Sequence, residues 1–325
     1  MTNLMTPISV LRQTVESGLV KLRLSSFPLL SLLQKQNSFQ DNINWQVDVS
    51  TNAAAGITGV APAPAASSDT VVAATLPIGT ARFARTIRLT YNDVAQAAAI
   101  GTEPLTELFS SHVDAAIQSI MLSISQNLFT GTGNTASGGI VGLATAALGS
   151  GAYAGLNPAT AGQEAWVSAQ QTATIASIDA APVNLEVLFR NLKNGIAQVN
   201  GTFDAIVCNP NFLARYEAAY TANPKETVLT GQAALLAGLG YNVYQYAGRP
   251  LIGDASCASN VAYAFDIATS VLYTRATTET QLMNGMNFVV GQIASDSAVA
   301  MVFEVAVFPQ VAFKNRLNLG RILLT

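Results

Sequence analysis

The chain has 325 residues but only 16 Lys+Arg and 19 Asp+Glu, so charged side chains make up 11% of it, where a soluble globular protein carries about 25%. A net charge of -3 and the lack of a basic tract exclude a general nucleic-acid binder, which gains most of its affinity by neutralising phosphates with Lys and Arg. Mean hydropathy is +0.34, yet the longest charge-free stretch, between Asp114 and Glu164, is broken too often by Gly, Ser, Thr, Asn and Gln to supply the run of about 20 apolar residues that a membrane helix needs.

A length of 325 residues suits about two domains. The amino terminus, Met1-Thr2-Asn3-Leu4-Met5, lacks the basic and apolar regions of a secretory signal, so cytosolic synthesis is expected. Leu11, Val15, Leu19, Leu22, Leu29, Leu30, Leu32 and Leu33, interrupted by Pro28, predict one or two short helices in an arm. Ile43, Trp45, Val47 and Val49 then alternate with Asn44, Gln46, Asp48 and Ser50, the period of a strand with one buried face. Residues 51 to 70 are small, rich in Gly, Pro and Ser and aperiodic, and predict a mobile tip. A second extended run, Val71 to Thr90, completes a hairpin-like excursion with little core of its own. Because an isolated two-stranded ribbon is at best marginally stable in water, it is expected to lie against something else, such as a neighbouring subunit.

Thr90 or Asn92 caps a short helix to Ile100, ended by Gly101. Thr102, Glu103 and Pro104 are helix-start signals. Leu105, Leu108, Phe109, Val113, Ala116, Ile117, Ile120, Met121, Ile124 and Leu128 recur at three-and-four spacing, predicting one helix of about 26 residues, about 39 Å long. A Gly/Ala-rich loop runs to about Ile178. Beyond it come a helix over Pro182 to Val199, an Asn200-Gly201 turn and a buried strand, Phe203 to Cys208. A helix from Asn209-Pro210 to Tyr220 follows, then strands at Gly248 to Gly253 and Val261 to Phe265. A long β-run, Met301 to Phe313, closes the pattern, with Pro309 pointing to an edge position. The class is α+β.

The sequence holds little chemistry. Its one histidine, His112, lies inside the long predicted helix with no motif around it, so it reads as a helix histidine before it reads as a member of a triad or a metal ligand. Cys208 and Cys257 fit a reducing compartment and buried thiols, and Cys208 in an apolar strand is expected to be inert. Gly131-x-Gly133-x-x-Ala136 loosely matches a dinucleotide fingerprint, but it follows a helix where the fingerprint follows a strand. Glu103 and Glu107 share a helix face as paired carboxylates would, yet first-turn acids favoured by the helix dipole explain them. Asn200-Gly201-Thr202 matches a glycosylation acceptor but reads as a turn. Arg82, Arg85 and Arg88 follow one another along the returning strand, with Arg82 and Arg88 on one face. They mark either a solvated strand edge or ionic contacts to a neighbour's acids. A soluble chain with so few charges must hide apolar surface, and subunit contact is the expected place.

Certain local motifs carry a resemblance. Asn127-Leu128-Phe129-Thr130-Gly131-Thr132-Gly133, with Gly139-Ile140-Val141-Gly142-Leu143, is similar to the small-residue turn after the spine helix of the major capsid proteins of tailed double-stranded-DNA bacteriophages, a fold shared with encapsulin shells. Phe203 to Asn209-Pro210 resembles that family's axial strand, Gly248-Arg249-Pro250-Leu251-Ile252 its following strand, and Glu304 to Phe313 with Lys314 its closing peripheral strand. The order of elements resembles the family over essentially the whole chain. The resemblance implies an amino-terminal arm at 1–42, an extended loop at 43–89, a peripheral domain from 90–181 and 283–325 with its spine helix over about 103–129, and an axial domain at 182–282.

The same resemblance implies a non-enzymatic shell subunit without cofactor or metal, forming hexamers and pentamers that enclose DNA without reading its sequence. It implies separate scaffolding, portal and decoration partners, no membrane, and a virion assembled in the host cytoplasm. Trp45, Arg82, Arg85 and Arg88 are the candidate inter-subunit contacts. Two departures stand out. Only about 42 residues precede the extended loop, so a scaffold is expected as a separate chain or not at all. No lysine lies between Lys35 and Lys193, so the lysine-to-asparagine cross-link of some relatives is not expected. Three rivals remain: an encapsulin-type compartment with enzyme cargo, a flagellin-like or sheath polymer, for which no sustained heptads are present, and an enzyme using His112 or Glu103.

Overall fold

The structure, a computed structural model, describes residues 27–49, 71–78, 81–100, 102–133, 139–222, 243–276, 280–283, 285–296 and 300–325. The arm helices expected before residue 27, the tip expected at 51–70, Ala136 and the carboxylates of Glu103 and Glu107 lie outside it.

Pro28 opens a one-turn helix, α1 (Pro28–Leu32), the position where its missing N–H costs least. Leu29, Leu30 and Leu33 are buried, so this part of the arm belongs to the core. Residues 34–36, the end of the stretch 8–36 in which the arm helices are expected, instead open strand β1 (Gln34–Ser38). Their polar sequence has no strand pattern. They are held by parallel pairing with β10 (Ser270–Arg275), which pairs antiparallel on its other side with β14 (Pro309–Phe313).

Strands β2 (Asn42–Asp48) and β3 (Val71–Pro77) form an antiparallel ribbon, Asn42 opposite Pro77 and Asp48 opposite Val71. The extended run expected over Val71 to Thr90 is divided. Its second half, β4 (Phe83–Thr90), leaves the ribbon for another sheet. The ribbon is also better supported than expected. Ile43, Ala74 and Leu76 are buried in the chain's own core, Thr75 N–H donates to Ala154 O at 2.9 Å, and Gln310 Nε2 donates to Pro77 O at 2.9 Å.

Helix α2 (Tyr91–Ile100) leads into the spine helix, α3 (Thr102–Thr130), of 29 residues. Val113, Ala116, Ile117, Ile120, Met121, Ile124 and Leu128 bury one stripe of it, as the spacing predicts. That stripe covers a four-stranded antiparallel sheet in the order β11 (Thr280–Met283), β12 (Met286–Asp296), β13 (Ala300–Val307), β4. Phe109 and Phe303 meet edge to face across the contact, centroids 5.1 Å apart. The long β-run predicted over Met301 to Phe313 breaks at Phe308, with β13 in this sheet and β14 at the edge of the three-stranded one. Pro309 has no N–H to extend a ladder, and Phe308 O instead accepts from Arg275 N–H at 3.0 Å.

After the spine helix a tight turn folds the chain back, with Gly131 N–H donating to Asn127 O and Gly142 N–H to Gly131 O, each at 2.8 Å. A Cβ on Gly131 would stand 2.3 Å from Ile140 O, and one on Gly142 2.6 Å from Asn127 O. A short helix, α4 (Leu143–Ala146), follows.

The remaining elements build a six-stranded sheet in the order β5 (Ala169–Ala173), β15 (Gly320–Leu324), β9 (Val261–Phe265), β6 (Ala205–Cys208), β8 (Arg249–Gly253), β7 (Val243–Tyr246). Helices α5 (Ile175–Ala180), α6 (Val183–Gln198) and α7 (Pro210–Ala222) belong to this part of the chain. Leu185, Phe189, Leu192 and Ile196 of α6 share a core with Phe212, Leu213 and Tyr216 of α7 and with Ile206, Leu251 and Ile322 of the sheet. Residues 320–324, expected with the peripheral segment, lie inside this sheet between β5 and β9.

Candidate assembly surface

The features that organise this chain are junctions between segments distant in sequence. Arg316 is fully buried. Its guanidinium donates to four carbonyls: Nε to Ala146 O at 3.0 Å, Nη1 to Gly151 O at 2.6 Å and Trp166 O at 2.9 Å, and Nη2 to Leu148 O at 3.3 Å. One side chain thus gathers the loop that follows the spine helix. Burial pulls its pKa down to about 10, partly opposed by Tyr153, so it stays cationic at neutral pH. Tyr153 Oη accepts from Phe313 N–H at 2.8 Å, and Trp166 Nε1 donates to Tyr153 O at 3.1 Å.

A second junction centres on Asp254, also buried. Its carboxylate accepts from Leu29 N–H at 3.2 Å and Ser256 N–H at 2.8 Å, while Ser125 Oγ of the spine helix donates to Ser256 Oγ at 2.9 Å. The arm, the spine helix and the six-stranded sheet meet here. Burial raises the Asp254 pKa against the pull of those hydrogen bonds. Neither Arg316 nor Asp254 carries a sequence signal that separates it from a surface charge.

Of the four candidate contact residues, Trp45 lies on the ribbon, Arg82 just before β4, and Arg85 and Arg88 on β4. Trp45 donates its indole N–H to Lys314 O at 3.1 Å, tying the ribbon to the body. Arg82 pairs with Glu304 of the adjacent strand β13. Arg85 donates to Ser119 Oγ of the spine helix at 2.5 Å. Arg88 is exposed on the same face of β4 as Arg82, while Arg85 lies on the face of buried Phe83 and Ile87, toward the helix. The structure therefore splits the three arginines between two faces and gives Trp45, Arg82 and Arg85 partners in their own chain.

His112 is exposed on α3. Cys208 and Cys257 are buried free thiols, and burial, with Asp254 nearby, pushes the Cys208 thiol far above its ordinary value, so it remains protonated and unreactive. Among the described residues no group of three or more His, Cys, Asp and Glu is placed to hold a metal, and no helix is long and apolar enough to cross a membrane. Apolar side chains do reach the surface, with Phe39 82% exposed beside the ribbon, Tyr91 61% at the start of α2 and Leu282 59% on β11.

No family model and no curated protein matches the chain. Its fold does have solved counterparts. A chain of the capsid asymmetric unit of cyanophage A-1(L) superposes with a TM-score of 0.73 at 18% identity, over 92% of each chain. The capsid of an empty GTA particle gives 0.56 at 12% identity, over 94% of this chain and 91% of that one. The holo-SrpI encapsulin complex from Synechococcus elongatus PCC 7942 gives 0.56 at 11% identity, over 97% of this chain and 94% of that one. The chain therefore has the fold of tailed-phage capsid subunits and encapsulins, over nearly its whole length.

Proposed function

We propose that this chain is a major capsid protein, a non-enzymatic subunit that assembles with copies of itself into a closed icosahedral shell around double-stranded phage DNA. The observation that carries this reading is the superposition of nearly the entire chain on a cyanophage capsid subunit at a TM-score of 0.73. Two further features support it. Few charges and exposed Phe39, Tyr91 and Leu282 suit a surface covered by neighbours. A two-stranded ribbon preceded by an arm suits overlap between copies in closed symmetry.

In this reading hexamers and pentamers of the chain form the shell in the host cytoplasm, and the finished virion contains it. Scaffolding, portal and decoration functions belong to other chains. The faintly acidic balance limits adhesion to packaged DNA. With no lysine between Lys35 and Lys193, the ribbon forms no lysine-to-asparagine cross-link, and particles dissociate to a single band on denaturing gels; a ladder of covalent oligomers contradicts this.

The encapsulin likeness defines the second reading, a compartment around an enzyme. Native particles distinguish the two by their contents. Nuclease-protected double-stranded DNA is the expected result, whereas a stoichiometric protein cargo without DNA would favour the compartment.

A further inference from the structure

Arg85 differs from four other surface arginines in what it meets. Arg82 pairs with Glu304, Arg215 with Asp179, Arg249 with Asp204 and Arg275 with Asp41. Arg85 instead donates to a neutral hydroxyl, Ser119 Oγ, and among the described residues it has no carboxylate partner. It stands in a concave cleft of about 340 Å³ where β4 runs beside α3, lined by Phe83, Arg85, Thr86, Ser119, Ile120 and Ser123. Ser123 Oγ donates to Ser119 O at 3.0 Å, which fixes that hydroxyl against its own helix. Phe83 and Ile120 of its lining are themselves buried, so the surface the cleft presents is mainly polar. A guanidinium carries five N–H donors in a planar fork, and one bond to Ser119 leaves donors for a further acceptor.

We propose that this cleft receives an Asp or Glu side chain from a second copy of this chain, an inference that rests on the shell reading. The fork and the adjacent hydroxyls match the two oxygens of one carboxylate. A polyphosphate backbone is a poorer fit, because its affinity comes from several cations spaced along it and this cleft presents one. The chain itself supplies the partner, since 19 Asp+Glu exceed 16 Lys+Arg. The approach is also open: β4 is the last strand of its sheet, so a neighbour can come alongside it. A carboxylate seated against the guanidinium is attracted to it, and a reversed charge there repels it.

The test uses the full-length chain carrying Arg85→Glu, Arg85→Gln or Arg85→Lys, read out as protomer melting temperature and as the fraction of protein sedimenting as particles. The expected result for Arg85→Glu is a protomer melting like the wild type and a loss of particles of about tenfold or more, for Arg85→Gln a loss of about threefold or more, and for Arg85→Lys a smaller loss that grows with salt. If Arg85→Glu does not fold, Arg85→Gln decides. Wild-type yield of particles from the folded Glu or Gln variant overturns the proposal while leaving the shell reading intact, whereas a wild-type chain that forms no particles defeats the shell reading itself. Normal assembly with loss of packaged DNA alone also overturns it, by making the occupant a phosphate.

Discussion

Arg316 and Asp254 are the two side chains on which distant segments depend most directly. Replacing Arg316 with Met keeps much of the buried volume but takes the guanidinium donor from the carbonyls of Ala146, Gly151 and Trp166, while Leu148 O keeps Gly151 N–H. The expected cost is about 3–5 kcal/mol, measured by urea denaturation of the protomer, and a cost below about 1 kcal/mol would contradict the junction. Asp254 yields a pH signature of defined sign. Its folded pKa is raised by burial, so the folded state takes up a proton at a pH where the unfolded chain, near the ordinary value of about 3.9, does not. The stability of the wild type relative to Asp254→Asn therefore rises as pH falls from neutral through the raised folded value, and levels off below the unfolded one. A difference that stays constant over that range would show that the carboxylate is not buried as described. Both residues escaped notice in the sequence because burial of a charge is decided by chain segments more than 100 positions away. Cys208 was legible, since its own strand is apolar on both faces.

Elements that carry their own periodicity were readable, and those made by a partner were not. The spine helix, expected over about 103–129, spans Thr102–Thr130, and the helix expected over Pro182 to Val199 spans Val183–Gln198. By contrast β1 and β5, with sequences QKQNS and AQQTA, are strands because β10 and β15 offer them parallel partners. The β7–β8 hairpin was hidden for a different reason. Its two turn residues, Ala247 and Gly248, both have positive φ, 49° and 81°, the type I′ geometry usually announced by Asn-Gly. Alanine there stores roughly 1 kcal/mol of strain. Ala247→Asn is accordingly expected to stabilise the protomer by about 0.5–1 kcal/mol, read as a rise in melting temperature, while a fall would mean that the turn is not I′. The turn after the spine helix behaves in the opposite way. Gly142→Ala drives a Cβ to 2.6 Å from Asn127 O and 2.7 Å from Leu128 O, both backbone atoms that cannot swing aside. A loss of at least about 2 kcal/mol is expected, and wild-type stability of that variant would refute the close approach.

At the scale of the molecule, the shell reading proposed above gives 11% charge and a fold shared with capsid and encapsulin subunits one common explanation, that other copies cover much of the protomer's surface. The order of elements was legible because arm, ribbon, spine helix and returning strands each have a distinct texture. Sheet membership was not, and the clearest case is β15, which returns from the chain's end to lie between β5 and β9. Nothing in Gly320–Leu324 names those neighbours, because an alternating strand fits any sheet with a free edge and an apolar face. The ribbon's packing on its own chain through Trp45, Thr75 and Pro77 adds that it is held within the protomer. The most direct test of the account is electron cryomicroscopy of the purified full-length protein, with any co-expressed assembly proteins of its source. Closed shells built from fivefold and sixfold clusters of this chain are the predicted result. A protein that stays monomeric, or that polymerises only into filaments, would contradict it.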